Sequence, residues 1–120
     1  MGRRELGQAG ESLAADHLRG LGWQVLARNW RCRAGELDII AWDPTPPGCV
    51  VFCEVKCRRG VAFGPPLEAI TAAKLAKLRE LALRWLREQS RPVPGFRIDG
   101  IGVLLQPGRE PDLTHIRAIG

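Results

Sequence analysis

Leu37-Asp38-Ile39-Ile40-Ala41-Trp42 and Cys49-Val50-Val51-Phe52-Cys53-Glu54-Val55-Lys56-Cys57-Arg58 are two apolar segments rich in β-branched residues. This composition is typical of β-strands. The residues between them, Asp43-Pro44-Thr45-Pro46-Pro47-Gly48, form turns readily. The sequence therefore predicts a β-hairpin over residues 37–58.

The second strand of this hairpin has two unlike faces, because successive side chains point to opposite sides of a strand. One face is apolar throughout and must be buried: Cys49, Val51, Cys53, Val55 and Cys57. The other face begins apolar and becomes charged: Val50, Phe52, Glu54, Lys56 and Arg58. The strand is therefore expected to run from the core of the protein into a polar site.

Periodicity and turn residues indicate six further elements. In chain order they are a helix over residues 3–21, a strand over Trp23–Trp30, a loop over Gly60–Pro66, a helix ending near Gln89, and strands over Phe96–Leu105 and Thr114–Ile119. The second helix begins between Leu67 and Thr71, where Thr71 is a candidate N-cap, and the last strand is expected at a sheet edge. The order α-β-β-β-α-β-β predicts one α/β domain over residues 1–120, with a mixed sheet of about five strands flanked by two main helices.

The chain of 120 residues is long enough for one domain and too short for two independent cores. Its apolar runs stay well below the roughly 20 residues of a membrane span, and the first residues lack the apolar region of a signal peptide. We therefore expect a cytoplasmic protein that does not associate with a membrane. The net charge of +5 favours a polyanionic partner, although the excess of 15 Arg over 3 Lys also fits GC-rich coding or growth at high temperature.

Four cysteines raise the question of a disulfide framework or a metal site. Cys49, Cys53 and Cys57 recur at every fourth residue, whereas Cys32 stands apart. The sequence has no C-x-x-C pair with zinc-finger spacing, and cytoplasmic thiols are kept reduced. We interpret the cysteines as small buried apolar residues, with a zinc or iron–sulfur site as the alternative.

Three polar residues lie on or beside the apolar faces of the predicted helices. Glu11 is at the edge of its face and is either a surface residue or a carboxylate at the rim of a site. His17 is interpreted as a core histidine with a satisfied hydrogen bond. Lys74 either reaches a buried partner or lines a polar pocket.

Asp38, Glu54 and Lys56 place charges among residues that would otherwise be wholly apolar. Burying unpaired charges is costly, so these side chains are expected to face one another or a metal ion. Converging carboxylates suit Mg²⁺, which takes one or two of them together with waters and phosphate oxygens. The pattern thus favours metal-assisted hydrolysis of a phosphodiester. The alternative is a structural ion pair between Glu54 and Lys56, together with a buried Asp38 that is satisfied by backbone N–H groups.

The arrangement of Asp38, a gap and Glu54-x-Lys56 resembles the D…(D/E)-x-K signature of the restriction-endonuclease-like nuclease fold, which includes Holliday-junction resolvases. A larger set of residues is similar, in order and spacing, to the YraN family of small bacterial proteins. That set is Gly10-Glu11-x-x-Ala14, Gly35-Glu36-Leu37-Asp38-Ile39-Ile40-Ala41, Phe52-Cys53-Glu54-Val55-Lys56-Cys57-Arg58 and Lys74. The resemblance implies this fold for nearly the whole chain.

The resemblance also implies roles for residues of the hairpin. Asp38 and Glu54 match the metal ligands of the nuclease fold, with the Val55 carbonyl as a further ligand. Lys56 matches the catalytic lysine. The motif is named PD-(D/E)xK, and Leu37 stands at the position of its proline. This change is common in the superfamily and leaves these roles intact. The implied cofactor is Mg²⁺ or Mn²⁺.

Outside those positions, Glu11 matches a first-helix glutamate that in resolvase-like members approaches the metal directly or through water. Glu36 and Lys74 match YraN positions and are candidate accessory residues. The arginines expected to meet nucleic-acid phosphates are Arg28, Arg31, Arg33, Arg58 and Arg59.

The interpretation we favour is a metal-dependent nuclease that hydrolyses DNA, on branched or structured DNA by analogy with resolvases. One alternative is a non-catalytic nucleic-acid-binding protein that keeps the nuclease fold. Another is a structural domain whose charges form an ion-pair network. The absence of Tyr and the 6% aromatic content favour duplex-like DNA over RNA. The sequence leaves both a monomer and a homodimer open: resolvase-like enzymes act as homodimers, and the residues after Pro107 or the apolar parts of the hairpin are the candidate interfaces.

Overall fold

The computed structural model describes residues 2–60 and 66–120. Its two helices are α1 (Arg3–Gly20) and α2 (Ala72–Arg87). Its strands are β1 (Gln24–Cys32), β2 (Gly35–Asp43), β3 (Cys49–Arg58), β4 (Phe96–Leu104) and β5 (Asp112–Ile116), and a 3-10 turn, Pro66–Ala69, precedes α2. The predicted order α-β-β-β-α-β-β is confirmed. Most of the loop predicted over residues 60–66 lies outside the described residues.

The strands form one sheet in chain order, β1-β2-β3-β4-β5. Neighbouring strands are antiparallel except β3 and β4, which run parallel and are connected through α2. A mixed five-stranded sheet flanked by two helices is the predicted restriction-endonuclease-like architecture. The edge position of β5 is also confirmed, although this strand ends at Ile116 rather than at the predicted Ile119.

The sheet separates two apolar clusters, one under each helix. The cluster on the α1 side includes Leu6, Ala14, Leu18, Ile39, Val51, Cys53 and Ile101. The cluster on the α2 side includes Leu37, Ile40, Val50, Phe52, Leu78, Leu81 and Ile98. The side chains of β3 alternate between the two clusters as predicted, because a strand covered on both faces must be apolar on both.

The start of α2 is fixed by a cap. The hydroxyl of Thr71 accepts a hydrogen bond from the backbone N–H of Lys74 at 3.1 Å, which satisfies one of the free N–H groups of the first turn. Thr71 is therefore the N-cap, as predicted. The cap sets the position of Lys74, since both residues belong to the first turn.

The cysteines divide into two pairs. Cys53 and Cys57 are buried, as predicted, whereas Cys32 and Cys49 are only half-buried, and all four are free thiols. Burial raises the pKa of Cys53 and of Cys57 above that of an ordinary thiol, which keeps both groups protonated. In addition, none of the helices in the described ranges has the length and apolar character needed to cross a membrane.

Candidate active site

The candidate site lies where β2 and β3 separate. Pairing between these strands extends from Asp43 opposite Cys49 to Ile39 opposite Cys53, whereas β3 remains paired with β4 as far as Arg58. The alternation of side chains along β2 is also interrupted here. Leu37 packs on the α2 side of the sheet, whereas Ile39 packs on the α1 side. Simple alternation would place both on one face. The charged half of β3 begins at this opening, directly after the last residue of β3 that pairs with β2.

Asp38 occupies this opening. Its Oδ2 accepts a hydrogen bond from the backbone N–H of Val55 at 2.8 Å. Burial and the neighbouring Glu54 carboxylate raise the pKa of Asp38 to about 7, although the Val55 N–H acts in the opposite direction. Glu11 and Glu36 add smaller repulsions. A carboxylate so disfavoured in its charged form lies where a cation would be stabilised.

Glu54 is held by two lysines at one oxygen. Its side chain is only 4% exposed, and Lys56 Nζ and Lys74 Nζ each lie 3.4 Å from Oε1. Of the two environments predicted for Lys74, the structure shows the buried partner, which is Glu54. Lys56 follows Glu54 by two residues on β3, whereas Lys74 comes from the first turn of α2. The pair of ammonium groups offsets the cost of burying the Glu54 carboxylate.

Glu11 reaches the same region from α1. One of its oxygens, Oε1, is fully buried and has no hydrogen-bond partner among the described residues. Burial raises the pKa of Glu11, while the Arg28 guanidinium and a side-chain hydrogen bond from Asn29 lower it. Its position at the rim of a site, rather than on the open surface, is therefore what the structure favours.

The approach of α1 depends on the glycine beside Glu11. A Cβ built on Gly10 would lie 2.6 Å from Cys57 Cβ and 2.9 Å from its Sγ, closer than any side chain tolerates. The absent side chain therefore allows α1 to rest against β3. This contact gives a physical reason for the pair Gly10-Glu11, since the glycine brings the helix close enough for the glutamate to reach the charged site.

These residues fit a hard divalent cation by the chemistry of their donors. Asp38, Glu54, Glu11 and the Val55 carbonyl supply only oxygen, and the buried Oε1 of Glu11 lacks a partner. Within residues 2–60 and 66–120, no three acidic, histidine or cysteine side chains are gathered closely enough to enclose an ion by themselves. Water and phosphate oxygens would therefore complete the coordination, which is the usual manner of Mg²⁺.

The remaining predicted residues flank the site. Arg31 Nε lies 3.1 Å from Glu36 Oε2 in an exposed ion pair across β1 and β2, and Arg28 donates to Ser12 Oγ at 3.3 Å. At the other end of the site, Arg58 donates to the Cys57 carbonyl at 3.2 Å. Arg33 and Arg59 are exposed, one in the turn between β1 and β2 and one directly after β3. The predicted arginines are thus divided between two sides of the site.

A second buried polar network was not anticipated from the sequence. The carboxylate of Asp99, which is fully buried, accepts hydrogen bonds from Arg97 Nε at 2.9 Å and from the Ala118 N–H at 3.0 Å, and it contacts His115 Nε2 at 2.8 Å. His115 Nδ1 lies 3.0 Å from His17 Nε2, which gives His17 the hydrogen bond expected of it. Burial acts to raise the pKa of Asp99, but these hydrogen bonds outweigh it and hold the pKa low. The network fastens β5 and the C-terminal residues to β4.

Together, the sheet, the two helices and the acidic and basic groups at the opening of β2 and β3 define an α/β protein of the restriction-endonuclease-like fold. Residues 10–103 match the model of the family described as Uncharacterised protein family UPF0102, and the chain belongs to this family. It is the same YraN family that the motifs resemble.

Bacterial relatives resemble the chain over nearly its whole length. A UPF0102 protein of Nocardia farcinica is 48% identical over 117 residues, which cover 98% of this chain and 90% of the relative. A UPF0102 protein of Mycolicibacterium smegmatis is 49% identical, with coverage of 98% and 94%. A UPF0102 protein of Mycobacterium avium is 50% identical over 120 residues, with coverage of 100% and 93%. The similarity therefore extends to all five strands and both helices.

Proposed function

We propose that this chain is a metal-dependent nuclease that hydrolyses DNA phosphodiester bonds. The observation that carries the proposal is the convergence of Asp38, Glu54 and Lys56 where β2 and β3 separate. The buried oxygen of Glu11, which has no partner among the described residues, supports it. A carboxylate pair can bind the metal ion of phosphodiester hydrolysis, and a lysine beside it can stabilise the negative charge that develops in the transition state.

Asp38, Glu54 and the Val55 carbonyl would hold Mg²⁺ or Mn²⁺, with Glu11 as a further ligand, directly or through water. When bound, such an ion polarises the phosphodiester and lowers the pKa of the attacking water. Lys56 would orient that water and stabilise the negative charge that develops on the phosphoryl oxygens. The water oxygen bonds to phosphorus and one P–O ester bond breaks. The leaving oxygen takes up a proton, giving a phosphomonoester and a hydroxyl end.

Lys74 has a positioning role in this scheme. It reaches Glu54 from α2, whereas Lys56 lies on the same strand as Glu54. A second ammonium group on Oε1 keeps the Glu54 carboxylate oriented when Lys56 turns toward the phosphate. Glu36 acts more remotely, because its carboxylate is already paired with Arg31.

The substrate class follows from the charges around the site. Five predicted arginines placed on β1, in the turn after β1, on β3 and directly after β3 suit a polyanion with several phosphates. We propose branched or otherwise structured DNA as the substrate, a homodimer as the form that cuts two strands, and the cytoplasm as the location. The analogy with resolvases supports the substrate and the dimer.

The test is a cleavage assay of purified protein on supercoiled, single-stranded and four-way-junction DNA with Mg²⁺ or Mn²⁺. Asp38→Asn and Lys56→Ala serve as paired variants. The proposal expects cleavage by the wild type, loss of cleavage in both variants, and loss in the presence of EDTA. Cleavage that survives both substitutions would point to a contaminating nuclease and would contradict the proposal.

One observation favours a second candidate, a non-catalytic nucleic-acid-binding protein of the same fold. Lys56 and Lys74 both form ion pairs with Glu54, and such pairs can stabilise the site in a protein that performs no chemistry. DNA binding that weakens steeply with salt, combined with no cleavage in any metal, would support this function.

A further inference from the structure

A groove runs between the N-terminal turns of α1 and the end of β3. Its volume is about 770 Å³, and its walls come from Arg3, Leu6 and Gly7 on one side and from residues 55–60 on the other. This volume lies within the range of sites that hold ligands. A Cβ built on Gly7 or on Gly60 would meet nothing within 4 Å, so both glycines leave the groove open.

The walls of the groove carry one sign of charge. Four basic residues line it, and none of the described residues that line it is acidic: Arg3, Lys56, Arg58 and Arg59. The guanidinium of Arg58 is anchored by its hydrogen bond to the Cys57 carbonyl at 3.2 Å. Apolar surface from Leu6, Val55 and Cys57 lies between the charges. A ligand suited to these walls is anionic and also has carbon-rich surface, as a sugar–phosphate chain has.

The groove begins at the candidate active site. Lys56 both lines the groove and contacts Glu54 at 3.4 Å. The N–H of Val55, another lining residue, is bonded to Asp38. From Glu54 the strand continues for four residues to Arg58, a distance of about 13 Å at the usual rise of a strand. The groove therefore leads away from the carboxylates along the end of β3.

We propose that this groove binds the backbone of the substrate strand as it leaves the candidate active site. Arg3 and Arg59 would contact phosphates from opposite walls, and the apolar surface would contact the sugars. The proposal rests on the proposed function and adds a direction to it, because the strand would follow β3 toward the first turn of α1. It also assigns a binding role to Arg3, which lies far from the hairpin in sequence.

Binding without cleavage tests the groove. Fluorescence anisotropy in EDTA would measure the affinity for a labelled four-way junction at several salt concentrations. The comparison is between wild type, Arg3→Gln/Arg59→Gln, and the charge-matched control Arg84→Gln/Arg87→Gln. Arg84 and Arg87 are exposed on the last turns of α2, about 15–20 Å along the helix from Lys74.

The groove variant is expected to bind about tenfold more weakly than the control, with a salt slope smaller by about 2, because two phosphate contacts are lost. Arg3→Lys/Arg59→Lys should recover most of the affinity, which separates a charge effect from a folding defect. Equal affinities and slopes for the groove and control variants would overturn the proposal while leaving the nuclease proposal standing. Groove-dependent binding by a protein that cleaves no DNA would support the groove and count against the nuclease. If wild type does not bind the junction in EDTA even at low salt, the groove proposal fails, and the cleavage assay with Mg²⁺ or Mn²⁺ decides the nuclease proposal separately.

Discussion

The carboxylate of Asp38 lies 2.8 Å from the backbone N–H of Val55, across the opening where β2 and β3 cease to pair. The Asp38 side chain thus accepts the hydrogen bond from the Val55 N–H that a backbone carbonyl of β2 would accept if the two strands were still paired there. The arrangement keeps the Val55 N–H satisfied in a half-buried region, where an unpaired donor is costly. It also fixes the position of the Asp38 carboxylate through its Oδ2.

Replacement of Asp38 by Asn is expected to remove a pH-dependent loss of stability. The pKa of Asp38 is raised from 3.8 to about 7, so between these values the folded state binds more protons than the unfolded state, and stability falls as the pH rises. Asn keeps an oxygen acceptor for the Val55 N–H and has no charge. From about pH 5 to about pH 8, wild type should lose roughly 2 kcal/mol relative to Asp38→Asn in urea unfolding. Parallel pH profiles would contradict the expectation.

Divalent cations are expected to stabilise the fold by relieving the repulsion between the Asp38 and Glu54 carboxylates. Near neutral or higher pH, about 10 mM Mg²⁺ should raise the midpoint of thermal unfolding by about 3–6 °C, provided its dissociation constant is about 1 mM or lower. The gain should shrink as the pH falls below the Asp38 pKa of about 7, because protons compete with the ion. Differential scanning fluorimetry measures both effects.

The matched variants for this measurement are Asp38→Asn and Glu110→Gln. Glu110 is an exposed carboxylate between β4 and β5, so its loss changes the net charge equally without touching the site. Only Asp38→Asn should abolish the Mg²⁺ effect. An equal loss in both variants would show that the cation acts through overall charge.

Lys56 and Lys74 are expected to substitute for each other in holding Glu54. Each contacts the same oxygen at 3.4 Å, so Lys56→Met or Lys74→Met alone leaves one partner and should cost about 1 kcal/mol or less. Removal of both lysines leaves the buried Glu54 carboxylate without a cationic partner. The double variant should therefore lose about 3 kcal/mol or more of its free energy of unfolding. The cycle of four proteins, measured by urea unfolding at neutral pH, gives the coupling directly.

A control for this cycle comes from the next lysine on α2. Lys77 pairs with Glu80 at 3.0 Å, but both side chains are about half exposed. Lys77→Met should therefore change stability little and should be additive with Lys56→Met. If the losses in the free energy of unfolding from Lys56→Met and Lys74→Met are also strictly additive, then the two lysines do not substitute for each other in stabilising Glu54.

The elements of this fold are predictable from the sequence because their signals are local. The faces of β3 follow from period-two alternation at residues such as Phe52 and Cys53, which lie in different clusters. The cap of α2 follows from one residue, Thr71. What alternation misses is the change of facing between Leu37 and Ile39, since it results from the departure of β2 from β3 rather than from the composition of β2.

The site is harder to predict because its contacts are long-range. Periodicity leaves Glu11 at the edge of a helix face, and its burial depends on Gly10 resting against Cys57, a residue 47 positions later. The motif resemblance supplied what the helix geometry left open. The Asp99–His115 contact had a visible signal, a carboxylate within the apolar strand Phe96–Leu104, but neither residue indicates its partner on the neighbouring strand.

Gly10→Ala is expected to destabilise the protein, whereas Gly7→Ala one turn earlier should stabilise it. Both are exchanges within the same helix, where Ala is intrinsically preferred over Gly by about 0.5–1 kcal/mol. At Gly7 the added methyl group meets nothing within 4 Å, so that preference should appear as a gain. At Gly10 the methyl group would lie 2.6 Å from Cys57 Cβ, and moving α1 away should cost about 1–3 kcal/mol.

Urea unfolding of the two variants measures this difference, and a compensating change identifies its cause. Cys57→Gly removes both atoms that the new methyl group would strike, so Gly10→Ala/Cys57→Gly should lose less than the sum of the two single changes. Because α1 carries Glu11, Gly10→Ala should also weaken the stabilisation by Mg²⁺, while Gly7→Ala leaves it intact. If Gly10→Ala is as stable as Gly7→Ala and responds equally to Mg²⁺, then the close contact of α1 with β3 is not what positions Glu11.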